Sequence, residues 1–187
     1  EVIEAFTAGA KRAVAAGFDV LEIHAAHGYL LHEFLSPLSN ARDDEYGGGL
    51  VGRARLAREV TRSVRSAVGP KVPIIVRLSG TEWVEGGLGI DQVVQVAKWL
   101  KEDGANLISV SSAGNVARAP IPLGPGYQVP LSKEIRDGAQ MPTAVAGLIT
   151  TPTQAEQILA DGDADAVYIG RRSLREPNFP VLAAREL

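Results

Sequence analysis

Two histidines and a tyrosine stand close together near the N-terminus, at His24, His27 and Tyr29. His24 follows the mostly apolar run Val20-Leu21-Glu22-Ile23. A strand that ends in titratable side chains is how a parallel α/β protein presents chemistry at the carboxyl end of its sheet. His27 lies one helical turn beyond His24, so both rings can face one pocket. Side-by-side imidazoles are good hydrogen-bond donors to a carbonyl or anionic oxygen. Tyr29 can give a proton at close range. A metal site would need a third ligand from His32 or Glu33, and no metal is expected. The plainer alternative is a set of polar side chains satisfied at a strand end.

Arg77 ends a second apolar run, Val72 to Leu78. A buried arginine is costly unless it faces an anion or a dense set of acceptors. Glu22 or Glu82 would be its structural partner. Gly147-Leu148-Ile149 and Gly170-Arg171-Arg172 follow two further apolar runs. Glycine lets a backbone approach a phosphate, and arginine adds charge and a fork of donors. Asp43, Asp44 and Glu45 form an acidic cluster beside Arg42. That cluster reads as a loop tied to neighbouring arginines.

The elements that must position these residues follow from periodicity. Residues 1–16 carry an apolar helical stripe stopped by Gly17. Phe18 to His24 is the first predicted strand. Short helical turns over 28–35 lead into a polar loop over 36–49. Leu50 to Val68 is helical, with Leu56, Val60 and Val64 on one face and arginines largely on the others. Strands are predicted at 72–78, 107–110, 143–146 and 164–169, with helices at 90–101, 131–137 and 151–160. Thr151-Pro152 supplies a hydroxyl cap followed by proline at the first turn. The last helix is predicted from about Pro177 to the end.

The 187 residues are 45% hydrophobic and 22% charged, with a formal net charge of −3 and no cysteine. Length and composition fit one domain with a real core. No basic patch suggests nucleic acid or a membrane surface, and no apolar run nears the roughly 20 residues of a bilayer span. Disulfides, thiolate metal sites and a cysteine nucleophile are excluded. A cytoplasmic location is expected.

Loops after the strands are long and rich in His, Arg, Ser and Gly, whereas those before them are short. A (β/α)-barrel shows this asymmetry, with its chemistry on the carboxyl-end face. An open doubly wound sheet is the runner-up, but no G-x-G-x-x-G follows a strand. A complete barrel has eight strands, and five are legible. The expected fold is therefore α/β, the C-terminal five strand–helix units of a (β/α)8 TIM barrel. Residues 1–187 would form a single partial barrel domain, with the first three strands outside this chain and open apolar edges on the sheet.

The run from Glu22 to Pro37, reading EIHAAHGYLLHEFLSP, followed by Asn40, Arg42, Asp44-Glu45-Tyr46 and Gly47-Gly48, resembles the Old Yellow Enzyme family of FMN-dependent ene-reductases. The His-x-x-His spacing is similar to its bacterial thermophilic-like class. Later blocks continue the likeness in order: Val76-Arg77-Leu78-Ser79, Ser111-Ser112-Ala113-Gly114, Pro125-Gly126-Tyr127-Gln128, Val145 to Ile149 and Ile169-Gly170-Arg171.

The resemblance implies FMN at the barrel mouth and NAD(P)H as reductant. It implies that His24 and His27 bind and polarise the carbonyl oxygen of an enone substrate. Tyr29 would protonate the α-carbon. Arg77 would lie against the flavin's pyrimidine edge, and Gly147, Gly170 and Arg171 would hold the phosphate. Hydride would pass from NAD(P)H through the flavin to the β-carbon of an α,β-unsaturated carbonyl compound. A homo-oligomer, or association with the missing N-terminal half, is expected. Two rivals stand beside this reading: a non-catalytic barrel fragment or interaction module, and a phosphate-binding barrel enzyme with His24 and His27 as acid and base.

Overall fold

Alternation along the strands decides how the sheet is faced. A computed structural model describes all residues from Glu1 to Leu187. The elements run α1 (Val2–Ala15), β1 (Leu21–Ala25), α2 (Leu30–Leu35), α3 (Leu50–Val68), β2 (Ile74–Ser79), α4 (Ile90–Glu102) and β3 (Leu107–Ser111). They continue with α5 (Val129–Ala139), β4 (Thr143–Val145), α6 (Pro152–Ala160), β5 (Ala166–Val167), α7 (Arg171–Arg175) and α8 (Phe179–Glu186). The five strands form one parallel sheet in sequence order.

Leu21, Ile23, Ala25, Ile74, Val76, Leu78, Ile108 and Val110 belong to the main core cluster, with Leu56, Val60 and Val64 of α3 and Val93, Val96 and Leu100 of α4. The alternate strand positions lie on the opposite face. His24 is in register with Arg77, and Arg77 with Ser109. Because parallel neighbours in register share a face, these three side chains form a polar row across the side away from the helices.

The face before the strands is tied by arginines. Arg65 donates from Nη1 to the carbonyls of Gly69 (2.6 Å) and Val72 (2.8 Å), and from Nε and Nη2 to that of Gly104. Arg58 and Arg62 both donate to Asp103, and Arg58 also lies over the Trp99 ring. Arg53 departs from the outward placement expected of the α3 arginines. It is buried and donates to the carbonyls of Leu35 and Gly48, joining α2 to the following loop.

The predicted elements hold with shifts at their ends. The predicted Phe18 to His24 strand starts only at Leu21, and Phe18 is 66% exposed. The Thr151 hydroxyl does accept from the Gln154 N–H as a cap. The fifth strand has only two residues, and α7 begins at once after Gly170 where no helix was expected. β1 pairs only with β2 and β5 only with β4, so both sheet edges are open. Beside β1 runs an apolar groove lined by Phe6, Ala10, Ala13, Leu21, Ile23 and Val64. No helix is long and apolar enough to cross a membrane.

Candidate active site

The turn after β1 carries the first site residues in an unusual backbone. His27 has φ of 60°, in the left-handed region that costs a residue with a Cβ energy. Its N–H donates to Ser79 Oγ at 3.2 Å, and Ser79 Oγ donates to the Ala113 carbonyl at 2.8 Å. A close backbone contact pins the turn from the other side. A Cβ on Gly28 would fall 2.5 Å from the Gly114 carbonyl oxygen, and one on Gly114 would fall 2.3 Å from His27 Cα. Only glycine at both places lets the loops after β1 and β3 touch.

His24 and His27 meet edge to face with ring centroids 5.2 Å apart, and Tyr29 lies against His24 at the same 5.2 Å. Tyr29 is mostly exposed. Burial, then the Arg77 charge, lowers the pKa of both histidines, and His27 is pushed down to about 4. Both rings are therefore neutral near pH 7, each with one N–H to donate. His27 Nε2 lies 2.6 Å from Ser111 Oγ, a hydroxyl that can give or take this hydrogen bond, so either ring nitrogen can carry the proton.

Gln128 anchors this corner. Its Nε2 donates to the Ala146 carbonyl at 2.7 Å, which turns Oε1 toward the Ser112 hydroxyl, also at 2.7 Å. The side chain is buried and links the ends of β3 and β4. No sequence signal marks a role for Gln128, which stands in a proline-rich stretch without periodicity. The acidic cluster is structural as expected: Arg42 pairs with Asp44, and Arg55 donates to the Glu45 carbonyl.

A cavity of about 460 Å³ opens at Arg77, the middle residue of the polar row. His27, Arg77, Ser111, Gln128, Gly147, Gly170 and Arg171 line it, together with Arg172 and Arg175. The structure thus gathers five of the predicted residues into one wall. His24 and Tyr29 stand beside that wall, next to His27, and do not line the cavity itself. Arg77 lies 3.9 Å from Glu22, too long for a hydrogen bond, and its Nε is buried without a partner. Glu82 is committed elsewhere, to Ser36, Leu88 and Asn115. His24 Nδ1 and Arg172 Nε are likewise buried and unpartnered. No three His, Asp or Glu side chains gather to hold a metal, and His32 Nδ1 instead accepts from the Gly28 N–H.

Polar donors left unpaired on a concave face, with cations at both ends, suit a planar polar ring carrying a phosphate tail. The description NADH:flavin oxidoreductase / NADH oxidase family fits a sequence model that matches residues 1–187. The chain belongs to that family. The likeness to the Old Yellow Enzyme family is thereby borne out, with FMN and NAD(P)H as the cofactors. The chain is 50% identical over its whole length to an NADPH dehydrogenase of Halalkalibacterium halodurans, covering 54% of that protein. An NADPH dehydrogenase of Bacillus licheniformis is 49% identical, again over 54% of its length. The chain thus spans about half the length of these relatives.

Among solved structures, a 2-naphthoyl-CoA reductase in complex with 2-naphthoyl-CoA matches 98% of the chain and 29% of its own, with a TM-score of 0.91 at 28% identity. Morphinone reductase in complex with tetrahydroNAD matches 99% of the chain and 48% of its own, with a TM-score of 0.79 at 26% identity.

Proposed function

We propose that this chain supplies the last five strand–helix units of a (β/α)8 barrel and, with them, half of an FMN site in a cytoplasmic NAD(P)H-dependent ene-reductase. The observation that carries the reading is the register of His24 with Arg77, at the rim of a cavity that ends at Gly170 and Arg171. FMN, when bound, supplies hydride transfer from NAD(P)H to the β-carbon of an α,β-unsaturated carbonyl compound.

The residues of this chain do the rest. Arg77, which lines the cavity with its Nε unpartnered, would hold the polar edge of the isoalloxazine ring and offer it positive charge. Gly147, Gly170 and Arg171 hold the phosphate. His24 and His27, kept neutral by burial and by Arg77, each donate one N–H to the enone oxygen. Drawing charge onto that oxygen makes the β-carbon electrophilic. Tyr29, packed on His24, delivers the proton to the α-carbon from its hydroxyl. Neutral imidazoles suit this role, since a charged pair would repel each other beside Arg77.

An anaerobic experiment on the full-length protein tests this. NADPH should bleach the flavin absorbance, and 2-cyclohexenone should restore it. The His24→Ala, His27→Ala double variant should retain its flavin yet reoxidise about 10²–10³-fold more slowly. Reoxidation of the double variant at the wild-type rate would overturn the assignment.

A second reading rests on the open edges of β1 and β5. An unpaired edge strand invites pairing, so association with the complementary half of a barrel, or with a second copy, accompanies the catalytic reading.

A further inference from the structure

Beneath the His27 turn lies a buried polar cluster that the proposed chemistry does not use. His32, Ser36 and Glu82 are each 0% exposed. Glu82 Oε2 accepts from Ser36 Oγ at 2.7 Å and from the Leu88 N–H at 2.6 Å. Glu82 Oε1 accepts from Asn115 Nδ2 at 2.7 Å. One carboxylate therefore ties together the end of α2, the loop after β2 and the loop after β3. Asn115 adjoins Gly114, the residue whose backbone touches His27.

His32 stands between this carboxylate and the turn. Its Nδ1 accepts from the Gly28 N–H at 2.9 Å, so the proton of the neutral ring sits on Nε2. That nitrogen faces Glu82 Oε1 at 3.7 Å, too long for a hydrogen bond, so the carboxylate attracts it by charge while the N–H itself has no partner. Burial of carboxylate and imidazole without these donors would be costly. His32 thus reaches the amide directly after His27, while Glu82 reaches the other side of that turn through Asn115, next to Gly114. His27 holds a strained φ of 60°, which persists only where its surroundings over-determine it.

The geometry points to His32 and Glu82 as positioning residues: they hold the 27–29 turn so that His27 and Tyr29 stand against His24. This deepens the ene-reductase reading and rests on it for the identity of the ligand. The sequence offered His32 only as a metal ligand and Glu82 only as a partner for Arg77. The structure gives both a different task.

Two variants of equal polarity separate positioning from bulk packing. His32→Asn keeps an acceptor near the Nδ1 position. His32→Gln carries its amide further out and leaves the Gly28 N–H without one. In the full-length, FMN-loaded protein, a para-substituted phenol is titrated and read by its long-wavelength charge-transfer absorbance. His32→Asn should bind within about threefold of wild type and His32→Gln about tenfold more weakly, the size of one lost hydrogen bond. Flavin content should be equal in both. Wild-type affinity in both variants, or equal weakening of both, would overturn the positioning role.

A second readout needs no flavin. Nitrogen-15 NMR should find the His32 ring protonated on Nε2. Exchange of the Gly28 amide should be slow in wild type and His32→Asn, and fast in His32→Gln. A ring protonated on Nδ1, or a Gly28 amide indifferent to the variants, would overturn it. A wild-type protein that binds no flavin would count against the ene-reductase reading alone, because the NMR measurements still decide the role of His32.

Discussion

His27 is held neutral by burial first and by the Arg77 charge second, against an ordinary value of 6.5. The consequence for stability has a definite sign. With a folded value near 4 and an unfolded value near 6.5, the unfolded chain takes up the proton first as pH falls. Stability from this group is present above pH 6.5 and is lost as pH falls toward 4. His24 and His32 are lowered too and act in the same direction. Thermal unfolding followed by circular dichroism should show a falling midpoint through this window, with a shallower fall in His27→Gln. The two causes can be separated. In Arg77→Gln the His27 ring should titrate at higher pH than in wild type, read by proton NMR. It should stay below 6.5, because burial remains. An unmoved titration would mean that the Arg77 charge does not reach the ring.

At the scale of elements, the decisive contact is backbone on backbone. Gly114→Ala would place a Cβ 2.3 Å from His27 Cα, with backbone rather than a flexible side chain in the way. Its φ of +98° adds strain for any other residue. Overpacking of this kind costs about 1–3 kcal/mol, so the urea midpoint should fall and phenol binding should weaken together. A fall in stability with unchanged binding would mean that the turn is placed by something else. The elements themselves were largely legible. The stripe of α3 and the Thr151 cap of α6 are local signals, and both stand in the structure. α5 begins earlier than expected because Pro130 starts the helix rather than ending a loop. α7 was invisible, since Leu174 is its sole apolar residue and is 84% exposed. His24 and Arg77 could be found because each is a polar residue late in a mostly apolar strand, and His27 because it lies just beyond one. The Glu82–His32 cluster could not be found, since its members are far apart in sequence and carry no period.

For the whole molecule, the sheet faces matter more than the count of strands. One face is an apolar core under helices, and the other carries His24, Arg77 and Ser109 in a row that needs something to cover it. Both edges are open, and Phe18 and Val20 are exposed beside β1. The isolated 187-residue chain should therefore show an apparent mass that rises with concentration in sedimentation equilibrium. A strict monomer would count against sticky edges. The parallel five-strand order was legible from alternating runs and short preceding loops, whereas the shape of the cavity depended on how loops from four strands meet. The most direct test is the visible absorption spectrum of the full-length protein after incubation with FMN and removal of the excess. A retained flavin spectrum, much reduced by a combined Arg77→Gln and Arg171→Gln change, is the expected result. A protein that stays colourless, or one whose flavin is indifferent to both arginines, would contradict the placement of FMN against this face.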